Sequence, residues 1–129
     1  MESIDYLSFE DLVEIGKALI PDIQIRDIGL LESASLRPQM SVYGKDAYPT
    51  FSEKVAALMH SIARNHSLVD GNKRLSWSAG RIFCLINKRD LIMGVDEAEA
   101  LIQAISKGEL AVPEIAKEIE PHIKKSKAQ

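Results

Sequence analysis

The sequence predicts an all-α fold, a compact helical bundle with a central buried helix and a short flap or hairpin. Three observations predict it. Apolar residues recur at helical spacing along most of the chain, as in Val55, Leu58, Met59 and Ile62 at i, i+3, i+4 and i+7. Cap-forming residues and prolines divide these stretches into helical lengths. One stretch, about residues 38–50, has no helical period; Tyr43, Gly44, Asp46 and Tyr48 lie there between Pro38 and Pro49.

Taken in order, Ser8 and Asp11 form a capping box that opens a first helix through Leu12, Ile15 and Leu19, closed by Pro21. A second helix is expected from Asp27 to about Arg37, where Pro38 disfavours continuation. The flap follows, pivoting at Gly44. A third helix is expected from about Phe51 to Asn65, then a polar break from His66 to Gly71. The segment from Asn72 to about Asn87 is apolar on most faces, with Leu75, Trp77, Ile82, Phe83 and Leu85, which predicts the central helix. Asp96 and Glu99 suggest a further N-terminus, with Gly108 as the stop. Pro113 suits the first turn of a last helix bearing Ile115, Ile119 and Ile123, and the polar tail 124–129 is expected to fray.

Composition limits the function. The 129 residues hold 16 Lys+Arg against 19 Asp+Glu, a formal net charge of −3, with 46% hydrophobic and 27% charged residues. That is the composition of one globular domain, 1–129, and not of a disordered chain. The mild acidity argues against direct nucleic-acid binding, and no apolar run reaches the ~20 residues of a membrane span. Met1–Asp5 is acidic, unlike a secretory signal. Cys84 stands alone in an apolar stretch, a small buried hydrophobe with no disulfide partner. A cytoplasmic location is expected.

The chemistry concentrates in His66-Ser67-Leu68-Val69-Asp70-Gly71-Asn72-Lys73-Arg74. Gly71 frees the backbone to turn sharply, and Asn72 is a favoured N-cap. The helix then starts with two cations, Lys73 and Arg74, where its dipole prefers anions. That misfit suits a bound phosphate at the helix mouth. Asp70 would repel such a phosphate unless a divalent metal bridged them, as Mg²⁺ does with one or two carboxylates and phosphate oxygens. His66, four residues upstream, offers an imidazole of the kind that serves as a general base. The residues alone leave blander readings open. Asp-Gly is a common turn, a helix cap needs no function, and a loop histidine is often simply a surface residue. Arg64 reads as a solvated helix-end arginine or a phosphate contact, and Tyr48 and Trp77 as packing residues.

The nine residues closely resemble the signature of the Fic/Doc superfamily, H-x-F-x-[DE]-[GA]-N-[GK]-R, missing one defined position. Arg26 to Ser33 and Arg37-Pro38-Gln39 look like the segment before the flap in the death-on-curing branch. The resemblance implies a Fic-like helical bundle in which His66 deprotonates a target hydroxyl. It further implies that Asp70 holds Mg²⁺, that Gly71, Asn72, Lys73 and Arg74 cradle nucleotide phosphates, and that Val42, Tyr43 and Gly44 of the flap dock the target by strand addition. Two departures matter. Leu68 stands for the usual Phe, and is expected to bury and anchor the loop. Lys73 replaces a glycine while Trp77 replaces a second arginine, which places the chain with kinase-like members of the branch rather than adenylylating ones.

The implied function is a toxin that transfers a phosphoryl group from ATP to a Ser/Thr hydroxyl of a translation factor, elongation factor Tu being the leading candidate. Adenylyl transfer and a catalytically silent binding role are the alternatives. No Ser or Thr starts the family's inhibitory pattern [ST]-x-x-x-E-[GN], so restraint is expected from a small antitoxin acting in trans.

Overall fold

The computed structural model describes residues 3–126, so Met1 and Glu2 of the leader reading and 127–129 of the tail lie outside the described residues. Six α-helices make up most of the described chain: α1 (Phe9–Leu19), α2 (Ile28–Leu36), α3 (Phe51–Asn65), α4 (Asn72–Ile86), α5 (Val95–Ser106) and α6 (Val112–Ile119). Two short antiparallel pairs accompany them, β1 (Ser41–Val42) with β2 (Lys45–Asp46), and β3 (Arg89–Leu91) with β4 (Ile123–Lys125).

Local chemistry sets the helix starts. Ser8 and Asp11 exchange the two bonds of a capping box, as do Thr50 and Glu53 at α3. Asp27 caps α2 by accepting from the Leu30 N–H. The chain does not stop at Pro38 but tightens into a 3-10 turn over Arg37–Gln39, where the ring sits among donors that a helix start leaves unused. α5 is capped by Gly94 and not by Asp96, which lies in its first turn, and it ends where Gly108 takes φ +80° and the Gly108 and Glu109 amides bond back to Ile105 and Ala104.

The central helix is α3, not α4. Ten of its fifteen residues are buried, whereas α4 buries seven and leaves Leu85 and Ile86 partly in solvent. α3 can be surrounded because Ala56, Ala57 and Ala63 let α4, α6 and α2 approach closely. Ser76 of α4 donates to the Met59 carbonyl across this contact, and a Cβ on Gly80 would lie 2.7 Å from Met59 Cγ. Leu12, Leu31, Ile62, Leu75, Phe83 and Ile115 fill the core around them.

The C-terminal region also departs from expectation. Pro121 ends α6 through a 3-10 turn, Glu120–His122. Ile123 therefore leaves the helix and enters β4, where it faces Leu91, while Lys124 and Lys125 pair with Asp90 and Arg89 rather than fraying. Arg81 of α4 holds this pair through a two-bond contact with Asp90 (2.9 and 3.2 Å), which lowers the Asp90 carboxyl below its usual range.

Candidate active site

The site loop links α3 to α4. His66 ends α3 in the left-handed region (φ +51°), a conformation histidine tolerates better than most side chains. Its carbonyl accepts from Arg26 Nε at 2.9 Å, and the next carbonyl, Ser67, accepts the Arg26 and Asp27 amides. Leu68 bridges to Ile25, and the Val69 amide donates to Gln24. The segment 24–27 thus binds the loop like a short strand. Leu68 is 1% exposed and anchors the loop from beneath, as the sequence suggested. Arg26 had no foreseen role; its adjacency to Asp27, the α2 cap, was the available signal.

Gly71, not Asn72, caps α4. At φ +94° it lies where only glycine is unstrained, and a Cβ there would overlap Ile20 Cδ1 and lie 2.8 Å from Ile20 Cγ1. A glycine cap has no side chain to satisfy the helix's first donors. Asn72 instead occupies the first helical position and turns backwards, its amide donating to the Leu68 carbonyl and its oxygen accepting the Leu68 amide, both at 3.0 Å. The side chain thereby locks the loop that a cap would only have ended. The first α4 backbone bond is Leu75 N–H to Gly71 O. The amides of Asn72, Lys73 and Arg74 have no partner among the described residues, and all three face the helix mouth by geometry.

That mouth is electrostatically unlike the others. α1, α3, α5 and α6 carry acids in their first turn and α2, which has none there, is capped by Asp27, whereas α4 has neither and starts with Lys73 and Arg74. Both cations are exposed. Lys73 donates to Gln103 Oε1 of α5 at 3.0 Å, a neutral partner that leaves its charge uncompensated. Arg74 has no side-chain partner among the described residues, and neither do the exposed side chains of His66 and Asp70. Lys73, Arg74 and half-buried Trp77 line one wall of a cleft of about 980 Å³ between α4 and α5; Met93, Val95 and Ile102 line the other. His66 and Asp70 stand outside this cleft, on the loop before it.

The flap is a two-residue hairpin. Tyr43 and Gly44 take φ +52° and +78°, the primed turn whose twist fits two antiparallel strands. Val42 lies in β1 opposite Lys45, but Tyr43 stands at the tip, wholly exposed, so the strand edge is confined to Ser41 and Val42. Arg64 is not simply solvated: its guanidinium donates to the Ser106 carbonyl at the end of α5. Tyr48 accepts from Arg37, and Trp77 borders the cleft. Burial pushes the Cys84 thiol up to about 12, as expected of an inert core cysteine.

A loop pinned by its neighbour, a glycine bend and a cation-bearing helix with no side-chain cap all lie within residues 6–84, which the Fic/DOC family model matches. The chain belongs to the Fic/DOC family. The toxin Doc of Mycolicibacterium smegmatis (strain ATCC 700084 / mc(2)155) is 44% identical to it over 118 residues, covering 89% of this chain and 91% of that protein.

Proposed function

We propose that the protein is a Doc-like toxin that transfers the γ-phosphoryl group of ATP to a Ser or Thr hydroxyl of a translation factor, with elongation factor Tu as the first candidate. One observation supports this reading above the others. The side chains of His66, Asp70 and Arg74 flank a glycine bend without a partner among the described residues, beside three amides likewise unpaired there. The site thus holds a base, a carboxylate and an anion cradle that the fold itself does not consume.

The roles follow from the chemistry. The amides of Asn72, Lys73 and Arg74 bind and orient phosphate oxygens, with the two side chains adding charge. Asp70 fits a Mg²⁺ ion shared with phosphate: no group of three or more His, Cys, Asp or Glu among the described residues makes a metal cage, and one exposed carboxylate is what such sharing needs. A Mg²⁺ ion held by Asp70 would supply charge neutralisation for the phosphate. His66 takes the proton from the acceptor hydroxyl as its oxygen attacks, and Arg74 stabilises charge on the group in transit. Lys73, drawn towards Gln103 on the cleft wall, narrows the cradle where a glycine would leave it open, which favours terminal over internal phosphate attack. Val42 docks an extended segment of the target along the short edge of β1, and Tyr43 and Gly44 meet it at the adjoining hairpin tip.

An antitoxin in trans is the expected restraint, and the cytoplasm the expected location. No helix among the described residues is long and apolar enough to cross a membrane. The test is intact-mass analysis of elongation factor Tu after incubation with the protein and Mg-ATP. Gain of one phosphate that is lost with His66→Ala supports the proposal. Gain of AMP replaces it with adenylyl transfer, and toxicity that survives His66→Ala replaces it with a non-catalytic binding role.

A further inference from the structure

Lys54 lies on the central helix yet only 4% of it is exposed, an unusual place for an ammonium. Its Nζ donates to the Tyr48 carbonyl at 2.6 Å and to Asp46 Oδ2 at 3.1 Å. Asp46 belongs to β2, so a buried cation of α3 reaches out to hold the flap. The flap has little else. All six residues from Ser41 to Asp46 are exposed, β1 and β2 are two residues each, and a lone two-stranded hairpin is marginal in water. At its base the Ala47 amide bonds the Met40 carbonyl. On the entry side Arg37 donates to Tyr48 Oη at 2.9 Å and to Ser61 Oγ at 3.0 Å, tying the turn before β1 to the same two elements.

We infer that Lys54 is a positioning residue for the target protein: through Asp46 and the Tyr48 carbonyl it fixes the height and register at which the β1 edge stands beside the loop. The inference rests on the docking role proposed for the flap. A strand-addition edge reads its partner by register, and a one-residue slip turns every side chain to the other face. A charged, nearly dry anchor is suited to holding that register because breaking it leaves a buried ammonium with one neutral acceptor. Lys54 touches neither the helix mouth nor His66, so nucleotide handling is independent of it.

The test uses the full chain with Asp46→Asn, an exposed change that keeps the hairpin residue count, and with Lys54→Arg, which keeps the cation. Hydrogen exchange at the Ala47 amide is expected to accelerate about tenfold in Asp46→Asn, with core amides of α3 and α4 unchanged. In steady-state transfer to elongation factor Tu, KM for that protein is expected to rise about tenfold, with kcat and KM for ATP within about twofold; Lys54→Arg is expected to stay near wild type. Unchanged exchange at Ala47 in Asp46→Asn overturns the inference, as does an unchanged KM for the protein target or a parallel loss in kcat and ATP affinity. If the wild-type chain transfers nothing to elongation factor Tu, that substrate assignment falls, and the exchange experiment still decides whether Lys54 sets the flap.

Discussion

Gly71→Ala perturbs the bend at the mouth of α4 in two separable ways. A Cβ at φ +94° costs about 1–2 kcal/mol in backbone strain. The same methyl overlaps Ile20 Cδ1 and approaches Cγ1 to 2.8 Å, and Ile20 is itself buried, 5% exposed. Overpacking of this kind costs about 1–3 kcal/mol. The sum is a loss of about 2–5 kcal/mol, read as a shift in the urea midpoint with Trp77 fluorescence as the probe. Combining Gly71→Ala with Ile20→Ala removes the clash and leaves the strain, so the cycle should show about 1–3 kcal/mol of favourable coupling. A Gly71→Ala protein within about 0.5 kcal/mol of wild type, or a penalty unchanged by Ile20→Ala, refutes the account of why glycine stands here.

Asn72→Ala strips both partners from the Leu68 amide and carbonyl in a buried setting, at about 1–3 kcal/mol for each group left unpaired; urea unfolding and exchange at the Leu68 amide read it. His66→Ala is expected to lose transfer by about 10²–10⁴-fold with little change in unfolding midpoint, since the side chain is exposed and makes no bond to another described residue. His60 is held below its ordinary pKa by burial first, then by Arg37 and Arg64, and its Nδ1 must accept the 2.8 Å bond from Arg37, which can only donate. The folded state therefore favours neutral His60, so its contribution is present above about pH 6.5 and is lost on acidification below it. Stability of wild type against His60→Gln between pH 7.5 and 5.5 measures this as a smaller slope in the variant. Cys84, with its thiol at about 12 and buried, is expected to resist iodoacetamide until the chain unfolds, which mass spectrometry follows directly.

Much of the fold was legible because short-range chemistry fixes it. Ser8 and Asp11, Asp27 and Gly108 mark ends through bonds made within a turn, Pro113 through its fixed φ in the first turn of α6, and the structure keeps each of them. What escaped depends on distant partners. Arg89–Leu91 and Ile123–Lys125 are too short to show alternation, and each becomes a strand only by meeting the other across the whole of α5 and α6. The apolar surround of α4 suggested a central rod, yet its last residues Leu85 and Ile86 reach solvent, while the alanines that make α3 central are weak hydrophobic signals.

The same division holds at the site. The glycine bend and the cations of α4 can be read from adjacent residues. Asn72 reads as a cap in the sequence because a cap and a backward clamp have the same residue type at the same place, and only the φ of Gly71 separates them. Arg26 beneath His66, Gln103 beside Lys73 and Lys54 under the flap act through contacts spanning 40, 30 and 8 residues, which no local motif announces.

The central claim is that the amino end of α4 grips a nucleotide's phosphates. Titrating the labelled full chain with MgCl₂ and ATP while following backbone amide resonances tests it most directly. The account predicts the largest shifts at Asn72, Lys73 and Arg74, saturating together and weakened by Arg74→Ala. Saturable binding that moves amides elsewhere and leaves those three unmoved contradicts it.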